Sequence, residues 1–135
     1  MFTVSKLRII KVAGGNVRHG IKSSEKTFST FGELYFSEVK NGIIKGWKKH
    51  NRMIVNIIPV MGAIRLYIKE KKDSPIKSLI ISDENYVRVT IEPNTWFAFE
   101  GLADKNMLAN LASIEHDIYE SENHEFNQDD RVQED

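Results

Sequence analysis

The sequence predicts an all-β domain, a sandwich or barrel of short strands. Apolar and polar residues alternate at a period of two rather than at the roughly 3.6-residue spacing of a helix. Turn-forming Gly, Pro and Asn interrupt the chain about every eight to twelve residues, as all-β domains require. Segments with helical periodicity are nearly absent.

Residues 7–13 read as a first short strand, closed by Gly14-Gly15-Asn16, a turn signal. The polar stretch 19–29 reads as a loop. Residues 32–39 carry Leu34, Phe36 and Val39, and Lys40-Asn41-Gly42 then supplies a hairpin-type turn. Strands follow at 43–49 and 53–60, with a turn at Met61-Gly62. In 63–69, Ile64, Leu66 and Ile68 face one side and Arg65, Tyr67 and Lys69 the other. An exposed charged turn occupies 70–75, and 78–81 reads as a further strand. In 86–92, Val87, Val89 and Ile91 face in, while Arg88, Thr90 and Glu92 face out; Arg65 and Arg88 are expected to be solvated. Past Pro93-Asn94, the aromatic segment 95–100 is a buried strand, with Phe97, Phe99 and also Trp47 assigned to the core. A strand over 107–114 completes the set. The single domain is bounded at 1–119. Residues 120–135 are acidic, with Phe126 and Val132 their only large apolar residues, and are expected to form a flexible tail.

A chain of 135 residues is long enough for one independent core. Lys and Arg total 19 and Asp and Glu total 19, so bulk charge points to neither nucleic acid nor membrane. Cysteine is absent, which excludes a disulfide framework and thiolate chemistry. The longest apolar run, 53–68, is broken by Asn56, Pro59, Gly62 and Arg65 and is too short and polar to span a bilayer. No leader-like segment is visible at the N-terminus, and the expectation is a cytoplasmic protein.

Charge is concentrated in one place. Lys45, Lys48, Lys49, His50 and Arg52 put five cationic or titratable groups into eight residues. On a strand, Lys48, His50 and Arg52 share one face, about 6–7 Å between successive positions. Such a face suits an anion or a developing enolate, whereas unpaired charge is costly in an apolar core.

That segment, Gly42-Ile43-Ile44-Lys45-Gly46-Trp47-Lys48, resembles the Gly-Val-Leu-Arg-Gly-Leu-His signature of the dTDP-4-dehydrorhamnose 3,5-epimerase family, within the cupin superfamily. Asp73-Ser74-Pro75, Ser82-Asp83-Glu84-Asn85 and Ile91 with Pro93 match further family turns in order, so the similarity spans residues 30–120. It implies a double-stranded jelly-roll barrel, a homodimer, and action on a nucleotide-diphosphate sugar in surface polysaccharide biosynthesis. The chain departs from the family at three points. Lys48 stands where the family has its catalytic His, Ala98 where a later His falls, and the Tyr-x-Pro-x-x-Glu segment of the acid is not reproduced. The family's acidic partner of the base has no match either. His50 matches the second His of the Arg-Gly-x-His-x-His pattern in related sugar-nucleotide 3,4-ketoisomerases.

Shifting a proton beside a ketone needs a base, a cation for the enolate and an acid on the opposite face. His50, with a reference pKa near neutrality, is the candidate proton shuttle. Lys48 suits either base or enolate stabiliser, and the second role asks nothing of its pKa. Tyr119 and His116 are alternative acids, in two registers. Lys45 and Arg52 are candidate diphosphate contacts, and Glu33, Tyr35 and Trp96 candidate lining for the sugar or base. One histidine at the motif cannot supply the three or four ligands a metal needs, so neither metal nor cofactor is expected. The alternative is a non-catalytic cupin that binds nucleotide sugars as a sensor or inactive subunit.

Overall fold

A computed structural model describes residues 1–131. Its strands are β1 (Phe2–Lys6), β2 (Ile9–Ile10), β3 (Val17–Arg18), β4 (Glu33–Glu38), β5 (Ile44–His50), β6 (Val55–Met61), β7 (Ala63–Lys69), β8 (Lys77–Ser82), β9 (Val87–Ile91), β10 (Trp96–Gly101), β11 (Met107–Ala112) and β12 (Ser121–His124). Single 3₁₀ turns occupy Ile118–Glu120 and Gln128–Asp130. Two five-stranded sheets face each other, in the orders β1-β9-β6-β11-β4 and β12-β5-β10-β7-β8, every neighbouring pair antiparallel. This is the jelly roll that the resemblance implied. No helix among the described residues is long and apolar enough to cross a membrane.

Between the sheets, Val55, Ile57, Ile64, Leu66, Ile68, Ile81, Val87, Val89, Ile91, Phe97, Phe99 and Leu108 form one apolar cluster. Each fully buried side chain of this kind contributes roughly 1.5–3 kcal/mol by leaving water. The alternation in β7 and β9 thus sends the expected residues inward.

The opposite faces are less exposed than alternation predicts. Arg88, expected in solvent, is 1% exposed. The segment around residues 19–29 folds over the first sheet, and the guanidinium meets Asn56 Oδ1 at 3.2 Å, Thr27 Oγ1 at 2.9 Å, the Gly20 carbonyl and the Glu25 carboxylate. Four of its five N–H donors thus find acceptors, which offsets the cost of burying the charge. Arg65, also expected in solvent, has a side chain only 14% exposed and lies 3.7 Å from Glu100.

The larger correction concerns the C-terminal segment. Residues 120–131 are part of the barrel: Glu120 is buried, and Ser121–His124 pair with β5. The outer face of the second sheet carries Trp47, Tyr67, Trp96 and Ala98, and Phe126 covers this apolar surface. Acidic composition suggested a solvated tail, but one aromatic residue with a recess to fill outweighed it. Residues 132–135, the rest of the expected tail, lie outside the described residues.

β4 inverts the usual pattern. Leu34 and Phe36 are 51% and 57% exposed, on the outer face, whereas Glu33, Tyr35 and Ser37 point between the sheets. Polar groups turned inward leave one part of the interior unlike the rest.

Candidate active site

Strand β5 supplies the cationic groups, and a bulge decides where they point. Against β10, Lys49 pairs with Trp96, Lys48 with Phe97 and Lys45 with Phe99, so three residues of β5 span two of β10. Directly paired residues share a face. Lys48 and Lys45 therefore both lie on the side of the core residues Phe97 and Phe99, the extra residue being absorbed at Gly46-Trp47. Simple alternation would have sent Lys45 outward. Arg52, expected on the same strand face, falls beyond the strand end, where its side chain is 63% exposed and lies 3.5 Å from Asp117.

His50 is 6% exposed, its ring stacked 5.9 Å from that of Phe97. Its Nδ1 makes a short hydrogen bond to Glu120 Oε1. The other carboxylate oxygen accepts backbone N–H groups from Asn51 at 3.1 Å, Arg52 at 2.8 Å and Met53 at 3.2 Å. Backbone bonds fix the dyad from both sides: Asn51 N–H donates to the Glu120 carbonyl at 2.7 Å, and Asn94 N–H to the His50 carbonyl at 2.7 Å. Asn94 sits at φ 67°, a left-handed conformation that asparagine tolerates.

The electrostatics follow from burial. Desolvation lowers the His50 pKa, outweighing the upward pull of Glu120, and Lys48 and His116 press it lower still. Burial alone would raise the Glu120 pKa, but the Arg52 and Met53 N–H groups and the His50 ring hold it below its ordinary value. Neutral His50 then donates Nδ1–H to a carboxylate and keeps Nε2 as a free lone pair. A base oriented by a buried carboxylate is the arrangement of proton-transfer sites generally.

The first sheet forms the facing wall. Glu33, Tyr35 and Ser37 pair with Ala112, Asn110 and Leu108, so all three share the inward face. Asn110, 3% exposed, donates to the Tyr35 carbonyl at 3.2 Å and to Ser37 Oγ at 3.0 Å. Burial, followed by the charges of Glu33 and Glu120, raises the Tyr35 pKa, so its phenol stays protonated. Separately, Phe36, Ser37, Glu38, Lys40, Ile43, Lys45 and Met107 line a groove of about 590 Å³, which takes in Lys45 of the candidate residues.

The structure thus brings together His50, Lys48, Tyr35 and Glu33, with exposed Lys45 further along the same face of β5. Besides Arg52, three expected residues lie outside this group. Tyr119 is 87% exposed. Exposed His116 sits at the rim, near enough to bear on His50, and its backbone N–H donates to Glu33 Oε1 at 2.9 Å. Trp96 packs with Trp47 and Tyr67 on the outer face, because its neighbour Phe97 is the one that points inward. Ala98 is on that outer face too, so the missing histidine there leaves the interior unchanged. The residue that sequence reasoning missed is Glu120. Among the described residues, no group of three or more His, Asp and Glu could hold a metal ion.

No family model and no curated protein matches the chain. Solved structures do. A dTDP sugar isomerase from Desulfovibrio desulfuricans G20 is 30% identical, with 96% of this chain and 87% of that one covered at a TM-score of 0.87. The fold is shared by the sugar 3,4-ketoisomerase QdtA from Thermoanaerobacterium thermosaccharolyticum (20% identity, 89% and 85% covered, TM-score 0.76). It is shared also by the 3,5-epimerase RmlC from Legionella pneumophila (13% identity, 96% and 75% covered, TM-score 0.81). The barrel thus has the architecture of a sugar-nucleotide isomerase-type cupin. The chain belongs to the dTDP-4-dehydrorhamnose 3,5-epimerase-like cupin family.

Proposed function

We propose that this protein is a metal-independent epimerase or isomerase acting on a 4-keto-6-deoxy nucleotide-diphosphate sugar. The observation that carries the reading is the buried His50–Glu120 pair, set beside Lys48 and facing Tyr35. The 30% identical relative is a dTDP sugar isomerase, which favours thymidine as the nucleoside. Lys45, at the groove, and Arg52, at the rim, are suited to the diphosphate oxygens. The pathway in this reading is surface polysaccharide synthesis, in the cytoplasm.

The chemistry is a proton shift. His50 Nε2 takes a proton from the carbon beside the ketone; that C–H pair becomes the C=C bond of an enolate, and the carbonyl π pair moves onto oxygen. Glu120 stabilises the imidazolium so formed. The Lys48 ammonium, half-buried on the same wall, offsets the oxyanion charge. The oxyanion pair then re-forms the C=O bond as the C=C pair takes the phenolic proton of Tyr35, on the facing sheet, at the other face of the carbon, and the imidazolium proton returns to the phenolate through solvent. Nothing is oxidised or reduced overall.

Incubation with dTDP-4-keto-6-deoxyglucose, followed by NMR of the sugar, tests the proposal: a stereo- or regio-isomer should accumulate. Lys48 at the family's histidine position favours the second reading, a non-catalytic binder. That protein would bind the nucleotide sugar saturably and leave it unchanged.

We propose further that the chain forms a homodimer through the outer face of β4, β11 and β6, where Leu34, Phe36 and Val60 are exposed. Apolar residues turned outward on adjoining strands suit a self-complementary contact. Light scattering should give twice the chain mass, and Phe36→Glu should halve it.

A further inference from the structure

Glu120 joins two unequally packed stretches of chain, its carboxylate resting on the backbone N–H groups of residues 51–53. Upstream, Ile118 and Tyr119 are 68% and 87% exposed. Downstream, the chain adds β12 to the edge of β5, placing Glu122 opposite Lys49 with an ion pair at 3.1 Å, and His124 opposite Trp47. It then crosses to the outer aromatic face. Phe126 stacks on Trp47 at 5.5 Å and packs against Tyr67 at 4.9 Å, while His124 lies 4.6 Å from Trp96. Asp130 Oδ2 accepts the Trp47 indole N–H at 3.0 Å, and Arg131 meets Glu100 at 3.0 Å. The segment passes close over Gly46: a Cβ there would sit 3.1 Å from the His124 carbonyl, a tight contact, and 3.5 Å from Phe126 N.

We infer that residues 122–131 are a positioning clamp for the proton-transfer site, with Phe126 as its anchor: the segment grips the outer face of the second sheet and thereby seats Glu120 against His50 on the inner face. Four residues of edge strand are a weak hold by themselves. The aromatic anchor and the Asp130–Trp47 bond complete it. Phe126 is thus a positioning residue, acting through Glu120 with no contact to substrate. The inference rests on the proposed proton-transfer role of His50, and it adds a second, remote place where that role can be lost.

The test uses the full chain and two readouts. Nitrogen-15 NMR of the histidines reports the His50 tautomer with no substrate present. Wild type should show the Nδ1–H form that Glu120 enforces, Phe126→Ala a mixture with the Nε2–H form, and Phe126→Leu, which refills the recess, the wild-type signal. In turnover, Phe126→Ala should lower kcat roughly tenfold with KM nearly unchanged, since small misplacements of catalytic groups carry large rate penalties. In a Glu120→Gln background the same change should add less than about twofold, because a residue acting through Glu120 has nothing left to act on. Should Phe126→Ala fail to fold, Asp130→Ala gives a milder version of the same shift. A fixed Nδ1–H tautomer in folded Phe126→Ala or Asp130→Ala, or a full multiplicative loss in the double variant, overturns the clamp. A wild-type protein that turns over no sugar defeats the enzymatic reading but leaves the tautomer test intact.

Discussion

The two halves of the barrel interior follow one rule of alternation and reach opposite results. Around β6, β7 and β9 the inward positions hold Ile57, Ile64, Leu66, Ile68, Val89 and Ile91, all buried and all hydrocarbon. Around β4, β5 and β11 they hold, beside Leu108 and Ala112, Glu33, Tyr35, Ser37, Lys48, His50 and Asn110, to which the β5 bulge adds Lys45. The first half stabilises the fold by burial. The second costs stability, because each polar group leaves water and needs a new partner. A barrel that only had to fold would fill both halves alike. The polar half is where an anionic ligand and a travelling proton are accommodated.

Substitutions in the two halves should therefore separate activity from stability. His50→Gln removes the base and should lower kcat by about 10³-fold, within the range of general acid–base contributions, with near-wild-type secondary structure by circular dichroism. Lys48→Met should cost about 10²-fold in kcat, as loss of one oxyanion donor does elsewhere. In the apolar half, Ile57→Ala should lower unfolding free energy by about 2–5 kcal/mol in denaturant titrations while kcat stays at the wild-type value. Equal effects on both quantities in all three variants would erase the distinction. Lys45→Ala should give the smallest change, a few-fold rise in KM that disappears at high salt as the diphosphate contact is screened.

Acid should act on the polar half, and on outer-face Asp130, whose carboxyl, despite burial, the Asn127 N–H and Trp47 indole hold below its ordinary value, while sparing the hydrocarbon half. The folded His50 pKa lies below 6.5, so below that pH the unfolded chain binds more protons and stability falls. The stabilisation from Glu120 is complete above 4.5 and is lost as pH drops through its lower folded value. Both contributions run the same way. The melting temperature should decline on acidification from about pH 6.5, and His50→Gln should flatten the upper part of that decline.

The apolar half was legible in the chain because period-two alternation in β7 and β9 is a direct image of which side chains leave water. The cationic strand was legible for the same reason, since charge clustered among apolar neighbours needs an explanation. Three features were not. The bulge at Gly46-Trp47 adds Lys45 to the inner face, and only pairing with β10 reveals it. Arg88 was assigned to solvent because nothing local says that residues 19–29 fold back over it. Glu120 lies in a segment whose acidity suggests solvation, and its place depends on Phe126 meeting Trp47 and Tyr67, residues far away in sequence. The one local hint was that aromatic residue in an otherwise acidic stretch.

The most direct measurement follows the carbon-bound proton. In heavy water, with dTDP-4-keto-6-deoxyglucose as the probe, wild-type protein should place deuterium at the carbon beside the ketone, and His50→Gln should slow this by about 10³-fold. Product formed by the wild type without any deuterium, or exchange by His50→Gln at the wild-type rate, would contradict the assignment of His50 as the base.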